Sequence, residues 1–375
     1  MQVRILLPIS VHTAGIDMPR KIGRKKVRIL NLVFTRATLL MTASALLAYS
    51  GANLSPAFAD AITDFYSGKE VRLIVATPPG GPYDNDARLL ARHLGRHIPG
   101  SPTIVIENMP GATGIRAASY VFDKAPQDGT VLANLHNMLP LIEMLNQTTV
   151  KLDPAAFNWL GNMTREVGDI IISTKSSVKT IEDARRIEVV MGAASPMALG
   201  AIYPRVMNHV LGTKFRIITG YDGANGVEHA MELGEIEGNA GDTWFHGVGR
   251  TYDWYRDGTI RVLLQIGART ADLPDVPLLV DLARNANERA LLDLFSSPYV
   301  IGKPTAVGPK VPPERVAALR AAYAATMADP EFLADAAKLG VSIAPVSGEE
   351  LGAVMKHIKN LPPALVAQAR GVISP

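Results

Sequence analysis

The chain alternates short apolar runs with glycine- and proline-rich turns and with segments of helical spacing. Residues 71–75 are mostly apolar and β-branched, and two prolines and two glycines lie within 78–81. Proline cannot donate a hydrogen bond to a sheet, and glycine allows a sharp turn because it lacks a Cβ atom. Leucines at 89, 90 and 94 then fall on one helical face. We therefore predict a strand, a turn and a helix over residues 71–90.

The same order of strand, turn and helix recurs over most of the chain. Apolar, β-branched runs predict further strands over 102–107, 131–134, 169–173, 188–191, 215–219, 236–240, 260–266 and 299–301. Apolar residues at helical spacing predict helices over 117–122, 181–186, 196–211, 227–233, 314–327, 329–339 and 349–360. Strands that alternate with helices are typical of an α/β fold with a mainly parallel sheet.

Four glycine-containing turns, at 78–84, 108–114, 192–196 and 220–226, each follow a predicted strand. Ligands of open α/β sheets bind beyond the carboxyl ends of the strands, which is where such turns lie. The free N–H groups and the positive dipole end of a following helix favour an anion there. In the third turn, Ser195 is a suitable N-cap and Pro196 a suitable first helical residue. If the early and middle blocks are separate lobes, the four turns face one another across a cleft.

Composition and charge narrow the class of protein. The chain of 375 residues is long enough for two domains, and 47% of its residues are apolar. Residues 1–59 contain eight of the 38 basic and one of the 35 acidic side chains, so 30 basic and 34 acidic side chains remain in residues 60–375. This balance predicts no nucleic-acid-binding surface. The absence of cysteine excludes disulfides and thiolate chemistry.

The first 59 residues have the order of a secretory signal. A basic run lies between Arg20 and Arg28, an apolar stretch covers 37–49, and alanine occupies positions 57 and 59. We predict export to the periplasm and cleavage after Ala59. The alternative is an N-terminal membrane anchor, for which the apolar stretch is short. The translation start is either Met1 or Met18.

Catalytic, nucleotide-binding and metal-binding motifs are weak in this sequence. The glycine patterns of Rossmann folds and P-loops are absent, and no Ser-His-Asp set is recognisable. His93 and His97 are four residues apart, but they lie among arginines, so we interpret them as a solvated basic face rather than a metal site. His136, just after a strand, is the histidine that we expect near a cleft. We predict no metal and no cofactor.

Acidic and aromatic residues near the turns leave two interpretations each. Asp84, Asp86 and Asp242 are able to form an acid pair, although capping and hydrogen bonding to ligand amides or waters suit them better. Tyr221 and Trp244 are flanked by glycine and acidic residues, so each either lines a pocket or packs beneath a loop.

Several segments together resemble a known family. They are VRLIVATPPGGPYDNDARLLAR at 71–92, IVIENMPGATGIRAA at 104–118, APQDGT at 125–130, the loop 192–196, YDGANGVEHAMELGEIEG at 221–238, RVLLQIGARTADLPDVPLL at 261–279 and VPPERVAALRAAYAATMADPEF at 311–332. The chain resembles the extracytoplasmic receptors of tripartite tricarboxylate transporters, the Bug-type solute-binding proteins. The resemblance covers essentially the whole chain after residue 59.

This resemblance implies a type II periplasmic-binding-protein fold, in which two α/β lobes joined by two crossing strands close on a ligand. We expect lobe 1 over 60–166 plus 271–375 and lobe 2 over 167–270. The implied function is to deliver a small carboxylate to a membrane permease, the ligand being a di- or tricarboxylate, an amino acid or an aromatic acid. We expect a monomer that is not an enzyme.

Position by position, the resemblance implies a ligand held largely by backbone N–H groups and ordered waters. The expected contacts are Pro79, Gly80, Gly81, Asp84, Gly111, Ala112, Thr113, Asn137, Ala194, Ser195, Pro196, Tyr221, Gly223 and Asp242. Met109, Thr113 and Trp244 depart from the residues that the family commonly has around this pocket, so the identity of the ligand does not carry over. Two other hypotheses are an exported enzyme with Asp84 or Asp242 as acid or base, and a ligand sensor that docks on a membrane kinase.

Overall fold

The structure, a computed structural model, describes residues 56–145, 152–244 and 249–373. Ala59–Pro375 is one compact unit. Most of the predicted secretory signal lies outside the described residues, and the predicted cleavage point falls within the first described helix, α1 (Pro56–Tyr66). Within the described ranges, no helix has the length and apolarity needed to cross a membrane.

Two separate sheets are built from the strands that the structure describes. These strands are β1 (Glu70–Val75), β2 (Thr103–Asn108), β3 (Val131–Asn134), β4 (Asn158–Asn162), β5 (Gly168–Ser173), β6 (Val189–Ala193), β7 (Phe215–Thr219), β8 (Gly238–Thr243), β9 (Ile260–Ile266), β10 (Thr305–Val307) and β11 (Val346–Ser347). The first sheet has the order β11-β4-β10-β3-β1-β2, and the second has the order β7-β6-β8-β5-β9. The strands predicted at 131–134, 215–219 and 260–266 are confirmed with the same bounds.

Both sheets are mixed, with a parallel part and an antiparallel part. In the first sheet β1 runs parallel to β2 and β3, whereas β10 is antiparallel to β3 and β4. In the second sheet β6 runs parallel to β7 and β8, whereas β5 is antiparallel to β8 and β9. The chain leaves the first sheet after β4 and returns to it at β10. The carboxyl ends of the parallel strands are therefore the edges at which the glycine-containing turns lie.

Helices cover the faces of both sheets. After α1, they are α2 (Pro82–Leu94), α3 (Ile115–Asp123), α4 (Leu139–Leu145), α5 (Ile181–Ala184), α6 (Leu199–Leu211), α7 (Gly223–Leu233), α8 (Arg250–Arg256), α9 (Ala286–Ile301), α10 (Pro313–Ala328), α11 (Pro330–Lys338), α12 (Gly348–Lys359) and α13 (Pro363–Ile373). The alternation of strands and helices confirms the predicted α/β class.

One strand prediction was wrong. Residues 299–301 are the last turn of α9, not a strand. The helix starts from an N-cap in which the Asn285 side chain accepts a hydrogen bond from the N–H of Glu288, and Pro298 does not end it. The apolar, β-branched character of these last residues reflects burial in the core rather than pairing in a sheet.

Helix α9 connects the packing of the two sheets. Phe295 and Tyr299 are buried, and the Tyr299 ring lies 6.0 Å from the ring of Tyr203 on α6. The Tyr203 hydroxyl donates to the carbonyl of Phe295 at 2.9 Å. These residues belong to one apolar core that includes members of both sheets.

The interpretation of His93 as part of a solvated face was wrong. His93 is buried, and its Nε2 lies 3.0 Å from a carboxylate oxygen of Asp335 on α11. His97 Nε2 is 2.7 Å from Asp329, at the start of the same helix. His93 on α2 and His97 in the turn that follows α2 join this part of the chain to α11, and within the described ranges no cluster of three or more potential metal ligands is present.

Candidate functional site

The turn after β1 is shaped by Asp84. Its buried carboxylate accepts three hydrogen bonds at 2.8 Å, from the N–H of Gly80, from Arg88 Nε and from Asn108 Nδ2. The hydrogen bond from Arg88 is the main reason that the pKa of Asp84 is lowered to about 2. All these partners belong to the protein, so Asp84 positions the turn and the start of α2.

Backbone N–H groups remain open at the same turn. Gly81 is the N-cap of α2 and has no side-chain cap, and the helical ladder begins with the N–H of Asn85 donating to Gly81. Among the hydrogen bonds of the described residues, none starts from the N–H of Gly81, Tyr83 or Asp84. A Cβ atom at Gly81 would have no neighbour within 4 Å. The positive end of α2 is therefore accessible to an anion.

The turn after β2 has an unusual backbone. Gly111 has φ 140°, and the non-glycine residues Ala112 and Thr113 have φ 47° and 51°. Such left-handed angles are costly for residues with a side chain, and they are often found at functional sites. The N–H groups of Ala112 and Thr113 have no partner among the described hydrogen bonds. Gly114 is required here, because a Cβ atom would lie 2.8 Å from the Cβ of His136.

A cavity of about 480 Å³ lies beside this turn, and we call it the shared cavity because both sheets contribute to it. Thr113 and Ile115, which follow β2, and His136, which follows β3, line it from the side of the first sheet. Ser195 and Met197, in the loop after β6, line it from the side of the second sheet. Two of the predicted ligand contacts, Thr113 and Ser195, therefore line one cavity.

His136 is a half-buried residue in the wall of the shared cavity. Its ring stacks on Tyr83 with centroids 5.2 Å apart, and its Nδ1 accepts a hydrogen bond from the N–H of Met138. Burial lowers the pKa of His136 to about 4, so the ring is neutral at physiological pH. The expectation that His136 lies near a cleft is confirmed.

Asn137 is used within the protein. Its N–H donates to the Tyr83 hydroxyl, and its Nδ2 donates to the carbonyl of Pro298, both at 3.1 Å. The side chain therefore ties the end of β3 to α9.

The predicted capping of the third turn was wrong. Helix α6 begins at Leu199, with Ala198 as an N-cap that provides no side-chain bond. Ser195 instead closes a turn in which its carbonyl accepts from the N–H of Ala198, and the carbonyl of Pro196 accepts from Arg205. The Ser-Pro pair thus forms a loop of its own, and the first turn of α6 is left uncapped.

A smaller cavity of about 240 Å³, the second-sheet cavity, lies where α6 and α7 begin. Three predicted contacts, Ala194, Gly223 and Asp242, line it. Helix α7 begins at Gly223, four residues earlier than predicted, because Gly223 adopts φ 63° and allows the chain to enter the helix there.

The two aromatic residues near this edge pack in one apolar cluster, and Trp244 also lines the third cavity described below. Trp244 is only 2% exposed, donates from Nε1 to Asp272 and packs against Tyr252 and Tyr255. Tyr221 packs against the same apolar cluster.

A third cavity, of about 450 Å³, contains a buried ion-pair group, and we call it the side cavity. Lys303 Nζ lies 3.1 Å from Asp86 and 2.5 Å from Glu166, and all three side chains are at most 10% exposed. The pKa of Asp86 is raised, mainly by burial. The group joins α2 to the segment between β4 and β5 and to the segment before β10.

Comparison with known proteins shows the fold. No family model matches the chain. A TctC solute-binding protein from Polaromonas superposes with a TM-score of 0.63 at 21% identity, over 82% of this chain and 99% of the other. The periplasmic binding protein BugD gives a TM-score of 0.55 at 19% identity, over 82% and 98%. The chain has the fold of the TctC and BugD solute-binding proteins. The two-lobe α/β fold predicted from the sequence is thereby confirmed, and the chain is similar to solute-binding proteins of the kind that its sequence resembles.

Other similar proteins extend this result. A UPF0065 protein encoded in the gbd 5′ region of Cupriavidus necator is 25% identical over 264 residues, which are 68% of this chain and 74% of that protein. Two structures from Rhodopseudomonas palustris share the fold with a TM-score of 0.53 each: Rpa4515 with adipate, at 20% identity, and MatC with bound malate, at 17% identity. They cover 81% and 82% of this chain and 96% and 99% of their own lengths.

Within this solute-binding fold, the predicted contacts are distributed unevenly. Five of the fourteen line the shared or second-sheet cavity, as described above. The others are not among the lining residues of the three cavities, and their contact with a ligand stays a prediction. They are Pro79, Gly80, Gly81, Asp84, Gly111, Ala112, Asn137, Pro196 and Tyr221.

Sequence reasoning missed the apolar lining and the buried ion pairs. Ile115 and Met138 line the shared cavity, but an apolar residue at or just before the start of a helix carries no signal that distinguishes it from a core residue. Lys303 had a usable signal, because it is the charged residue in the otherwise apolar stretch 299–308. A lysine in such a stretch is rarely buried unless it is paired.

Proposed function

We propose that the protein is an extracytoplasmic solute-binding receptor that captures a small carboxylate for a membrane permease of the tripartite tricarboxylate type. It acts in the periplasm after its secretory signal is removed at Ala59, and it binds as a monomer.

The observation that carries this proposal is the set of N–H groups without partners in the first two turns. Gly81, Ala112 and Thr113 each present such a group beyond the carboxyl end of a parallel strand. Carboxylate oxygens accept hydrogen bonds from backbone N–H groups, and the bonds are strong because the acceptor is charged. The uncapped start of α2 adds the positive end of a helix dipole.

The relatives support the same class of ligand. One structure with this fold contains adipate and another contains malate. Both molecules are dicarboxylates, and a small carboxylate of this kind is compatible with cavities of about 240 to 480 Å³.

Capture involves closure of the two lobes. The first and second turns belong to the first sheet, and the third and fourth belong to the second sheet. A ligand that bonds to both sets favours the closed arrangement, and its binding free energy drives the closure. A permease then distinguishes the loaded protein from the empty one by its shape.

The geometry favours a receptor over an enzyme. Asp84, with its lowered pKa and three internal partners, is unsuited to exchange protons near neutral pH. Asp242 has a raised pKa, caused by burial, so the enzyme hypothesis predicts turnover that is lost on Asp242→Asn. A receptor returns the bound ligand unchanged.

Calorimetry of the purified protein against a panel of organic acids tests the proposal. We expect at least one carboxylate to bind, and Gly81→Val to abolish its binding, because the added side chain blocks close approach to the turn. The Gly81 site has open space and φ −85°, so the variant should fold normally.

Gly371→Val is the matched control, because this glycine in α13 also has open space around it. The control should bind with unchanged affinity. Binding of uncharged sugars or of cations alone would contradict carboxylate capture, and an unchanged affinity of Gly81→Val would remove the first turn from the site.

A further inference from the structure

The second-sheet cavity has an acidic wall with no basic side chain in its lining. Asp242 is the charged residue among the described residues that line it, and Asn239 is a neutral polar neighbour. The rest of the lining consists of glycine and apolar residues. A second carboxylate of the ligand would meet the like charge of Asp242 at this wall.

The Asp242 carboxylate lacks a cationic partner. Its Oδ1 accepts a hydrogen bond from the adjacent N–H of Thr243, and no described salt bridge includes Asp242. Partial burial of a charge without a counter-ion is costly, and burial raises the pKa of this carboxyl. The nearby Glu228, by contrast, is paired with Arg250 at 3.0 Å.

A second acid, Asp169, is paired with Asp242 across two neighbouring strands. Asp169 on β5 is the register partner of Asp242 on β8, so the two side chains emerge on the same face of the sheet. Asp169 is fully buried, and neither of its carboxylate oxygens has a hydrogen-bond partner. Burial, followed by the charge of Asp242, raises the pKa of Asp169 well above its usual value. Burial therefore favours the protonated form of Asp169, and Asp242 is the member of the pair that lines the cavity and that a ligand is able to reach.

Other charged and titratable groups around Asp242 do not neutralise it. Among the described residues, Glu228 on α7 and Tyr299 on α9 also interact with Asp242, Arg250 on α8 contacts Glu228, and Tyr203 on α6 lies beside Gly241. Tyr203 and Tyr299 have pKa values raised well above the usual one, so both are neutral. Arg250 is already paired with Glu228.

Hydrogen-bond donors lie beside this acid. Helices α6 and α7 begin at the cavity, with Leu199, Gly200, Gly223 and Ala224 in its lining, and neither helix has a side-chain cap. Their N–H groups suit an oxygen of the ligand, and the Asp242 carboxylate suits a cation next to that oxygen.

We propose that the second-sheet cavity binds an ammonium group of the ligand at Asp242, so that the protein selects carboxylates that also carry an ammonium group, such as amino acids, over carboxylates that lack one. This inference rests on the proposed function, since it names the class of carboxylate that the receptor takes.

Pairs of acids that differ only in the ammonium group test the inference by calorimetry. The pairs are aspartate and succinate, glutamate and glutarate, alanine and propionate, and phenylalanine and 3-phenylpropionate. We expect the amino acid of at least one pair to bind about 10- to 100-fold more tightly than its partner, the usual strength of a hydrogen bond to a charged group. Asp242→Asn should remove this preference, and the exposed Asp275→Asn should keep it.

Proton linkage provides a measurement that does not depend on a variant. The pKa of Asp242 falls when a cation binds beside it, so amino-acid binding should release protons, and affinity should weaken as pH falls through the raised pKa. Calorimetry in buffers of different ionisation enthalpy measures the number of protons released.

The outcomes separate this inference from the proposed function. If the acid without the ammonium group binds more tightly and takes up a proton, a protonated Asp242 donates a hydrogen bond to a second carboxylate of the ligand. That result would overturn the inference and leave carboxylate capture intact. A preference for amino acids that survives Asp242→Asn would also overturn it. Binding of none of the acids would contradict the proposed function itself, and the inference with it.

Discussion

The buried Asp169 makes a quantitative prediction about stability and pH. Its carboxyl is fully buried without a hydrogen-bond partner, and its pKa in the folded protein is well above that of an unfolded chain. Because the raised pKa belongs to the folded state, folding retains a proton that the unfolded chain releases. The protonated group is tolerated at low pH, and stability is lost as pH rises from the unfolded pKa toward the folded one.

The substitution Asp169→Asn removes this proton linkage and keeps the shape of the side chain. Between the unfolded pKa of about 3.9 and the raised folded pKa, the wild type should lose about 1.4 kcal/mol of unfolding free energy per pH unit relative to the variant. From about pH 5 to pH 7 the difference reaches roughly 3 kcal/mol if the folded pKa lies above that interval. If the buried amide of the variant lowers the unfolding free energy by a constant amount, it shifts the plot of unfolding free energy against pH without changing its slope.

Urea denaturation at several pH values measures the effect for the wild type, Asp169→Asn and the exposed control Asp275→Asn. We expect the stability curves of the wild type and Asp169→Asn to diverge with rising pH, and those of the wild type and the control to stay parallel. Parallel curves for Asp169→Asn would refute the claim that this carboxyl is protonated in the folded protein. They would also remove the reason for placing a proton of the pair on Asp169 rather than on Asp242.

Three further substitutions test the packing and the ion pairs that hold the site. Lys303→Met leaves the buried carboxylates of Asp86 and Glu166 without a cation, so thermal denaturation should show an unfolding free energy lower by about 3–5 kcal/mol. A decrease of less than about 1 kcal/mol would contradict the pairing. Gly168→Ala places a Cβ atom 2.4 Å from the Tyr299 ring, so the unfolding free energy should fall by about 1–3 kcal/mol, measured as a lower urea midpoint. An unchanged midpoint would contradict this close approach. Asp84→Asn should lower the unfolding free energy by about 1.5–3 kcal/mol near neutral pH, and because the folded pKa of Asp84 is lowered, this loss should disappear as pH falls from about 4 to 2. Circular dichroism melts measure both effects, and a loss that does not depend on pH would contradict the lowered pKa.

The local pattern of the sequence was sufficient for the second sheet, for half of the first sheet and for most helices, but it missed β4, β10 and β11. Strands such as β3, β7 and β9 are short, apolar and bounded by turns, and the same pattern placed glycine-containing turns at the ends of β1, β2, β6 and β7. Residues 299–301 have a strand-like composition yet end α9, because a buried helix needs apolar residues on several sides. Local composition does not distinguish the two environments.

The parts of the site that depend on distant contacts were not predictable. The turn at Ala112 and Thr113 was located correctly, but its left-handed backbone is stabilised by packing that the sequence does not reveal. The register of Asp169 against Asp242 depends on a bulge in β8, next to Gly241 with φ 75°. The expected contact of Asp84 with the ligand stays a prediction, and the sequence did not reveal its pairing with Arg88 and Asn108.

The central claim is that backbone N–H groups of the first two turns hold a carboxylate. Nuclear magnetic resonance of the nitrogen-15-labelled protein tests it directly, through the amide protons of Gly81, Ala112 and Thr113 during titration with a carboxylate that binds. We expect these amide protons to move downfield and to become protected from exchange with water, because each gains a hydrogen bond to a charged acceptor. Saturable binding that leaves all three amide signals unchanged would contradict it.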